Sequence, residues 1–485
     1  MPLKTRRILF YGLVVLFIIA GTGIVFYSRG WRAVIENCEI AKPLDCSVKF
    51  KKTGAIYVET EPKEVVIKIN NKIFKDKSGL IQKGTLIGGL PPKTYKVEVE
   101  KNGYLPWLKN LKVESSLVAE GIKIILIPEK IKKTPVSTGQ PVKNFWFSNR
   151  DNFIYKNGEN LYYSSFGAAQ DKQNSPLSKL RGNEFIVWSQ DGEKIISKNT
   201  LTKTYYFYNT GDLKKAVNIN LTLNNLDKKF TIKKIAFHPA ESNRLIVEDK
   251  NKLSILDLGR LKLENIIPEP ILAWYIENPN IYYIKITQTY SSDAHNPKLI
   301  THYYLASFNL IIKTETVMAE LPPNLKTVSE ISASGGNVAI TNENKNLYIF
   351  NQETKIFKKI ADSAEKLFFS PDNRKIALFD KNGFINIYFL KDYDVSIHKK
   401  AGDTIKLSAY GGLEIKNIYW HENSHHLLVD YFDNKGIRKL DFIEIDDRQP
   451  TNKYTIAEKI SDFYYNKDSN KIYISQKDSL YFIEI

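Results

Sequence analysis

His421, Glu422 and His425 have the spacing of two histidines that flank a glutamate. On an α-helix this spacing puts both imidazoles on one face, where they bind Zn²⁺ while the glutamate acts as general base in hydrolysis. The flanking segments, Ile415–Trp420 and Leu427–Tyr431, are too short and lack the capping residues of a helix. We therefore predict a turn between two strands and no zinc hydrolysis.

An alternative interpretation of this segment is adventitious metal binding by His421, His425 and His426. The remaining histidines, at positions 238, 295, 302 and 398, have no metal-ligand spacing, and Asp446-Asp447 reads as a solvated turn. We predict no catalytic, cofactor-binding or metal-binding residues and no cofactor. The chain is predicted not to be an enzyme.

The histidine segment belongs to a larger pattern that recurs about every 45 residues from position 142 to the end of the chain. Each copy has an aromatic strand, a polar turn, an aliphatic strand and further strands rich in Tyr or Phe. Copies begin near Phe145, Trp188, Phe237, Trp274, Ile331, Phe368, Trp420 and Phe463. A repeat built only from strands predicts a seven- or eight-bladed β-propeller over residues 142–485.

The last repeat has room for only three strands before Ile485. A blade with an open edge would leave a row of backbone groups unpaired, so a strand from elsewhere is expected to close it. The linker at residues 129–141 lies just before the first repeat. We predict that residues 132–138 within it form a latch strand.

The turns Trp188-Ser189-Gln190-Asp191-Gly192 and Phe369-Ser370-Pro371-Asp372-Asn373 resemble those of TolB-type and WD-repeat-like (WD40-like) propellers. The resemblance implies an architecture rather than an activity, because propellers host both binding proteins and enzymes. An enzyme that uses the central channel, similar to lactonases or lyases, is the alternative function.

Residues 54–128 alternate between apolar and polar side chains, as in Val65 to Asn70 and Tyr95 to Glu100, and predict a small β-sandwich. The strand Gly54 to Pro62, the turn Gly89-Leu90-Pro91-Pro92 and the closing Gly103-Tyr104 resemble the PEGA domain. In this chain Pro92-Lys93-Thr94 replaces the family's usual Pro-Gly turn. The resemblance implies a non-catalytic surface module of envelope proteins.

The N-terminal segment at residues 8–27 has no charged residue and is long enough to cross a bilayer as a helix. Lys4, Arg6 and Arg7 precede it, so the positive-inside rule keeps residues 1–7 in the cytoplasm as a short tail. We predict an uncleaved signal anchor, with a cleaved signal peptide as the alternative. The bulk of the chain is then extracytoplasmic, held at the cell membrane by a single pass.

The juxtamembrane stalk at residues 28–53 contains the two cysteines of the chain, Cys38 and Cys46. Outside the membrane this pair either forms a small disulfide loop or remains as two thiols.

The formal charge of +17 comes from lysines scattered over the whole chain, and no basic run marks a nucleic-acid site. We therefore predict no nucleic-acid partner. The expected role is non-catalytic binding or scaffolding at the cell envelope, with other envelope proteins or cell-wall polymer as partners. Assembly or sensing with other envelope proteins is a further hypothesis.

Overall fold

The computed structural model describes residues 3–28, 30–36, 47–79, 82–136, 140–150, 152–165, 178–227, 229–291, 298–467 and 469–485. Within these ranges the chain is mostly β-structure, as the sequence predicts. Cys38, Cys46 and His295 lie outside the described residues.

Helix α1 (Leu3–Ser28) begins five residues before the charge-free segment 8–27 and includes the basic residues that precede it. It is long and apolar enough to span a membrane. Strands β1 (Trp31–Glu36) and β2 (Ser47–Lys52) follow and pair antiparallel, although the sequence predicts only a stalk in this region. The amide of Thr53 then donates to the carbonyl of Gly30 at 2.8 Å, which ties the end of the helix to the start of the next domain.

The predicted β-sandwich is present and consists of two sheets. Its strands are β3 (Gly54–Glu61), β4 (Val66–Ile69), β5 (Lys72–Lys75), β6 (Thr85–Leu90), β7 (Thr94–Glu100), β8 (Trp107–Lys112) and β9 (Val118–Ile125). One sheet has the order β6-β3-β9 and the other β5-β4-β7-β8. Alternating residues such as Ile67, Val97 and Leu111 are fully buried between the sheets and form one core. The β3–β9 pair is parallel.

Eight four-stranded antiparallel sheets follow the sandwich among the described residues. We call them blades 1 to 8 and list the strands of each blade in the order in which they pair. Blade 1 comprises β11 (Asn144–Phe147), β12 (Asn152–Asn157), β13 (Asn160–Ser165) and β14 (Ser178–Leu180); blade 2 comprises β15 (Glu184–Trp188), β16 (Lys194–Asn199), β17 (Thr204–Asn209) and β18 (Asp212–Asn218). Blade 3 comprises β19 (Lys234–Phe237), β20 (Arg244–Asp249), β21 (Lys252–Asp257) and β22 (Lys262–Ile267); blade 4 comprises β23 (Ile271–Glu277), β24 (Asn280–Tyr290), β25 (Leu299–Asn309) and β26 (Thr314–Glu320).

The remaining blades follow the same order. Blade 5 comprises β27 (Val328–Ser334), β28 (Asn337–Asn342), β29 (Leu347–Asn351) and β30 (Ile356–Ala361); blade 6 comprises β31 (Lys366–Phe369), β32 (Lys375–Phe379), β33 (Ile385–Phe389) and β36 (Thr404–Leu407). Blade 7 comprises β37 (Glu414–Trp420), β38 (His426–Phe432), β39 (Arg438–Glu444) and β40 (Lys453–Glu458); blade 8 comprises β41 (Asp462–Asn466), β42 (Lys471–Gln476), β43 (Ser479–Glu484) and β10 (Lys133–Val136).

A buried hydrophobic cluster lies between every pair of consecutive blades. The same is true of blades 8 and 1, where Tyr473 and Leu480 pack with Phe145 and Phe147. The rings of Phe147 and Tyr473 are stacked with centroids 3.8 Å apart. Because each cluster joins two neighbours, the eight sheets form a closed ring. The chain is therefore an eight-bladed β-propeller, the larger of the two predicted blade numbers.

The structure has the paired outer strand that the strand count of the last repeat predicts. Strand β10 pairs antiparallel with β43, from Lys133 opposite Ile483 to Val136 opposite Leu480. A strand from before the first blade thus completes the last one, and it occupies four residues within the predicted 132–138.

Turn residues of the repeat explain why it recurs. In blade 2 the Ser189 hydroxyl donates to Asp191, and the amide of Lys194 donates back to Ser189 Oγ at 2.8 Å. Ser370, Asp372 and Lys375 repeat this arrangement in blade 6. Such side-chain bonds to nearby backbone close the turn between the first two strands.

Aromatic residues that end the first strands tie neighbouring blades together. The indole N–H of Trp188 donates to the carbonyl of Trp146 in blade 1, and that of Trp420 donates to the carbonyl of Phe368 in blade 6. A buried indole needs such a partner for its N–H. The recurring aromatic residue therefore serves the contact between blades.

The alternation of strand direction gives the ring two faces. Connections between first and second strands and between third and fourth strands open on one face, called the docking face. Connections between second and third strands and from blade to blade open on the other, called the hairpin face. Helix α2 (Ile219–Leu226) lies on the hairpin face, and the small hairpin β34 (Tyr393–Val395) and β35 (Ile397–Lys399) lies on the docking face.

Candidate functional site

The histidine motif lies in the turn between β37 and β38, as the sequence predicts. The amide of His421 donates to the carbonyl of His426 at 3.0 Å, and the amide of Ser424 donates to that of His421 at 2.9 Å. The amide of Asn423 in turn donates to His421 Nδ1. His421 therefore takes the turn-closing place that Ser189 and Ser370 have in blades 2 and 6.

His425 of the motif and the adjacent His426 also have structural roles. His425 Nδ1 and the Tyr393 hydroxyl share a hydrogen bond of 3.1 Å, and His426 Nδ1 and the Asn423 side chain are 3.0 Å apart. All three histidines of the motif are buried. Among the described residues no group of three His, Cys, Asp or Glu side chains could hold a metal ion.

Burial keeps these imidazoles neutral, because desolvation disfavours the charged form. It lowers the pKa of His425 to about 3 and lowers the pKa of His426 well below its usual value. Burial also lowers the pKa of His421, against the opposing effect of a hydrogen bond from Asn423.

His238 has the same role in blade 3 as His421 in blade 7. The amide of Ala240 donates to its Nδ1 at 3.3 Å, and its own amide donates to the carbonyl of Arg244. Of the other described histidines, His302 contacts Glu320, and His398 is 83% exposed beside Asp394. The repeat alignment could have revealed the role of His238, because Phe237-His238-Pro239 matches Phe369-Ser370-Pro371.

The prediction of a solvated turn at Asp446-Asp447 is wrong for Asp446. Its carboxylate is buried and pairs with the guanidinium of Arg448. Burial raises the pKa of Asp446, but the hydrogen bonds from Arg448 lower it more. The pKa of Asp446 therefore lies below its usual value. Asp447, in contrast, is part exposed and pairs with Lys399 at 2.7 Å. The physical reason is that the sandwich covers this connection, which one-dimensional spacing does not reveal.

The sandwich packs on the docking face of blades 6 to 8 through a buried polar contact. Lys109 of β8 is fully buried and forms an ion pair with Glu444 at the end of β39. The indole N–H of Trp107 donates to the same carboxylate at 2.9 Å, and Lys109 Nζ also donates to the carbonyl of Arg448. A buried charge needs both a partner and hydrogen bonds, and this one has them.

Backbone hydrogen bonds extend this contact along the free edge of β8. The Asn452 side chain accepts from the amide of Leu108 at 3.1 Å and donates to its carbonyl at 2.9 Å. The amide of Asn110 donates to the carbonyl of Gln449. The connection between β39 and β40 therefore covers the edge that the sandwich would otherwise expose.

Strand β9 supplies the rest of the contact. The carbonyl of Glu120 accepts from Arg448, the amide of Ile122 donates to Ser396, and Lys123 Nζ donates to the carbonyl of Asn423. Ile127, just after this strand, is fully buried in the cluster between blades 7 and 8. The sandwich is thus a docked part of the propeller and not a free module on a stalk.

A cavity of ≈ 480 Å³ remains where the sandwich meets hairpin β34–β35. Its lining contains the basic residues Lys112, Lys399 and Arg448 and the acidic residues Glu114, Glu120 and Asp447. Mixed charge without a buried unpartnered group in the lining gives no preference for a ligand class.

Lys375 is a buried charge that sequence reasoning missed. Its ammonium pairs with Asp372 at 2.6 Å and lies 4.1 Å from the ring centre of Tyr393. Burial lowers the pKa of Lys375 to about 8. The matching position in blade 2 is Lys194, so the signal was a lysine at the start of the second strand.

The long hairpin β24–β25 is the most prominent departure from the repeat. Its two strands pair from Asn280 opposite Asn309 to Tyr290 opposite Leu299. The neighbouring strands stop earlier, since β23 reaches only Lys285 and β26 only Tyr304. The arms 286–290 and 299–303 therefore project from the hairpin face.

The projecting arms expose apolar side chains. Tyr290 is 73% exposed and Leu299, directly opposite, is 53% exposed. His302 bonds to Thr289 on the neighbouring arm and to Glu320 of β26, which braces the hairpin against the blade.

Both edges of the arms carry backbone groups that point away from the hairpin. The amide of Ile286 donates outward to Pro270, and the carbonyl of Tyr303 accepts outward from Leu321. Since antiparallel pairs alternate, the amides and carbonyls of Gln288, Tyr290, Leu299 and Thr301 also point outward. For these four residues the described part of the chain offers no backbone partner.

Fold and surface together define an eight-bladed β-propeller with a docked β-sandwich and an apolar N-terminal helix. No protein-family model matches the chain, and no curated protein matches it. Solved structures with similar folds include the Swd1 β-propeller domain of Myceliophthora thermophila, at 9% identity and a TM-score of 0.41, covering 73% of this chain and 100% of that one. They also include Kluyveromyces lactis Hsv2, at 10% identity and a TM-score of 0.40, covering 66% of this chain and 98% of that one.

A third similar structure is an oligogalacturonate lyase bound to manganese, at 12% identity and a TM-score of 0.37, with 73% of this chain and 98% of that chain covered. The three resemblances are too distant to carry a function. The fold assignment rests on the sheet order and the eight clusters between blades.

Proposed function

We propose that this chain is a non-catalytic, membrane-anchored binding or scaffolding protein of the cell envelope. Helix α1 anchors it, the PEGA-like sandwich spaces and orients the propeller, and the bulk of the chain lies outside the membrane. The three basic residues before the apolar segment support this orientation.

The long hairpin carries the proposal. It projects from the face opposite the sandwich, and the sandwich is the part of the structure joined to the anchor. A partner outside the cell would therefore meet Tyr290 and Leu299 before it met the docked side of the ring. Exposed aromatic and aliphatic side chains on a projecting element are typical of protein contacts.

The free edges of the arms indicate how a partner binds. An extended segment can add to a free edge as a further strand, with main-chain hydrogen bonds supplying affinity. The outward residues Gln288, Tyr290, Leu299 and Thr301 are uncharged in a chain that has 70 Lys and Arg residues. The favoured partner is thus an uncharged, extended segment of another envelope protein.

Photo-crosslinking in the native cells tests this proposal. A photoreactive residue at Tyr290 of the full chain should give a defined envelope-protein adduct, and one at the exposed Ile73 of the sandwich should not. T301P removes an outward amide but no hydrogen bond within the hairpin, and should reduce the adduct at least tenfold. T301V retains the amide and should leave the yield unchanged.

Two outcomes contradict the proposal: no adduct at Tyr290, or an adduct that T301P does not reduce. Binding of the purified full chain to isolated cell wall separates the polymer hypothesis from the protein hypothesis, because T301P should not change polymer binding. The alternative, an enzyme of the central channel, predicts turnover of a polymer fragment by the purified chain.

A further inference from the structure

Four large aliphatic side chains are exposed on the docking face at the outer turns of blades 3, 4 and 5. Leu261 is 60% exposed, Ile311 69%, Ile312 67% and Ile356 61%. All four lie in the turn between third and fourth strands or at its end. Consecutive blades therefore present them as one rim, here called the aliphatic rim.

The turns that carry the rim share one hydrogen-bond pattern. Asn309 Oδ1 accepts from the amides of Ile311 and Ile312 at 3.0 and 3.1 Å. Asp257 closes the blade 3 turn in the same way, and Asn351 closes that of blade 5. Leu261 has a φ of 50°. A bulky residue is uncommon in this conformation, where glycine or asparagine is favoured.

The rim is surrounded by basic residues. Arg260, Lys262, Lys313 and Lys355 are exposed on the same three turns, with Glu353 as the exposed acidic residue among the turn residues. Glu264 pairs with Lys313 at 2.6 Å across the two turns. Exposed aliphatic tips among cations fit a surface that is apolar beneath and anionic at its boundary, as a phospholipid bilayer is.

The position of the anchor identifies which bilayer. Strand β9 and residues 107–110 place the sandwich on the docking face of blades 6 to 8. Gly30, two residues after α1, is hydrogen-bonded to Thr53 at the start of that sandwich. The anchor, through the sandwich, and the rim are therefore both on the docking face. The sandwich covers blades 6 to 8, and the rim lies across the ring on blades 3 to 5.

We propose that the aliphatic rim rests in the headgroup layer of the membrane that α1 spans, as a second contact beside the anchor. The contact requires anionic phospholipid, and it holds the docking face toward the membrane and the hairpin face away from it. The proposal rests on α1 spanning the membrane. Tethering favours it, because the anchor converts binding of the rim into an intramolecular event.

Spin-label accessibility in nanodiscs tests the contact. The full chain with C38S and C46S carries a nitroxide at I312C, in discs of phosphatidylcholine alone or with 30% phosphatidylglycerol. The matched control is L201C. Leu201 is 89% exposed and follows Asn199 in the same kind of turn, but it lies on the hairpin face.

We expect collisions of the Ile312 label with a water-soluble nickel chelate to fall at least threefold in phosphatidylglycerol discs, while collisions with oxygen rise. The label at position 201 should show neither change. R260Q/K262Q should restore nickel access at position 312, because it removes cations beside the rim.

Three results would overturn the proposal. Unchanged nickel access at position 312 would show that the rim stays in water. Loss of access to both reagents would show that protein, including a second copy of the chain, covers it. Elution of the full chain without lipid would refute the anchor itself, and with it both proposals.

Discussion

Single residues decide whether the apparent zinc motif does chemistry. In a helix His421 and His425 would share a face, but in the turn His421 accepts a backbone hydrogen bond while His425 faces Tyr393. His238 and His421 accept backbone amides through Nδ1, which only an unprotonated nitrogen can do.

The buried histidines should make the propeller sensitive to acid. Their folded-state pKa values lie below the unfolded value, so below about pH 6.5 the unfolded chain binds more protons and stability falls. At pH 5 the loss is about 2 kcal/mol for His425, and His426 adds a loss in the same direction. Urea unfolding between pH 7.5 and 5 measures it.

H425Q tests the assignment of this acid sensitivity. It should lower stability at pH 7.5 and yet flatten the pH dependence, since one titrating group is gone. A slope that H425Q does not alter would contradict the assignment.

Sequence information at the residue scale is good where the repeat supplies an alignment. The match of Trp420-His421 to Phe369-Ser370 correctly predicts a turn. Asp446 and Lys109 have no such alignment, because they are buried by a contact between residues more than three hundred positions apart.

Among the elements, strand β10 completes the last blade of the ring. It brings residues 133–136 against the C-terminal strand, so the first part of the propeller domain and the last are one sheet. Pro135 has no N–H, so it fits an outward position, and Thr134 and Val136 then donate to β43.

T134P should therefore open the latch. It removes a ladder hydrogen bond and should lower the free energy of unfolding by about 1 to 3 kcal/mol. K133P is the matched control, because Lys133 shares the outward phase of Pro135 and should cost less. Limited proteolysis between residues 128 and 142 reports opening. Equal cleavage of T134P and K133P would contradict the assignment of which β10 amides point toward β43.

Other elements were not predictable in the same way. Helix α2 lies in the connection from blade 2 to blade 3, and hairpin β34–β35 interrupts blade 6; the repeat has no counterpart for either. The docking of the sandwich depends on Trp107, Lys109 and Glu444 meeting in space. Alternation predicts the strands of each domain, but it contains no information on the contact between domains.

At the scale of the whole molecule, the anchor, the sandwich and the ring are connected in that order. Helix α1 is tied to the sandwich at Thr53, and the sandwich is tied to the ring by the buried pair Lys109–Glu444. In the proposed function the hairpin face meets partners, and the ring lies outside the cytoplasm.

Labelling of single cysteines in intact cells tests that location most directly. In the full chain with C38S and C46S, we introduce L299C on the hairpin or L201C on the same face, and treat the cells with a membrane-impermeant maleimide. We predict complete labelling of position 201 before lysis, and labelling of position 299 before lysis wherever no partner covers Leu299. Labelling that appears only after lysis would place the propeller in the cytoplasm and contradict the account.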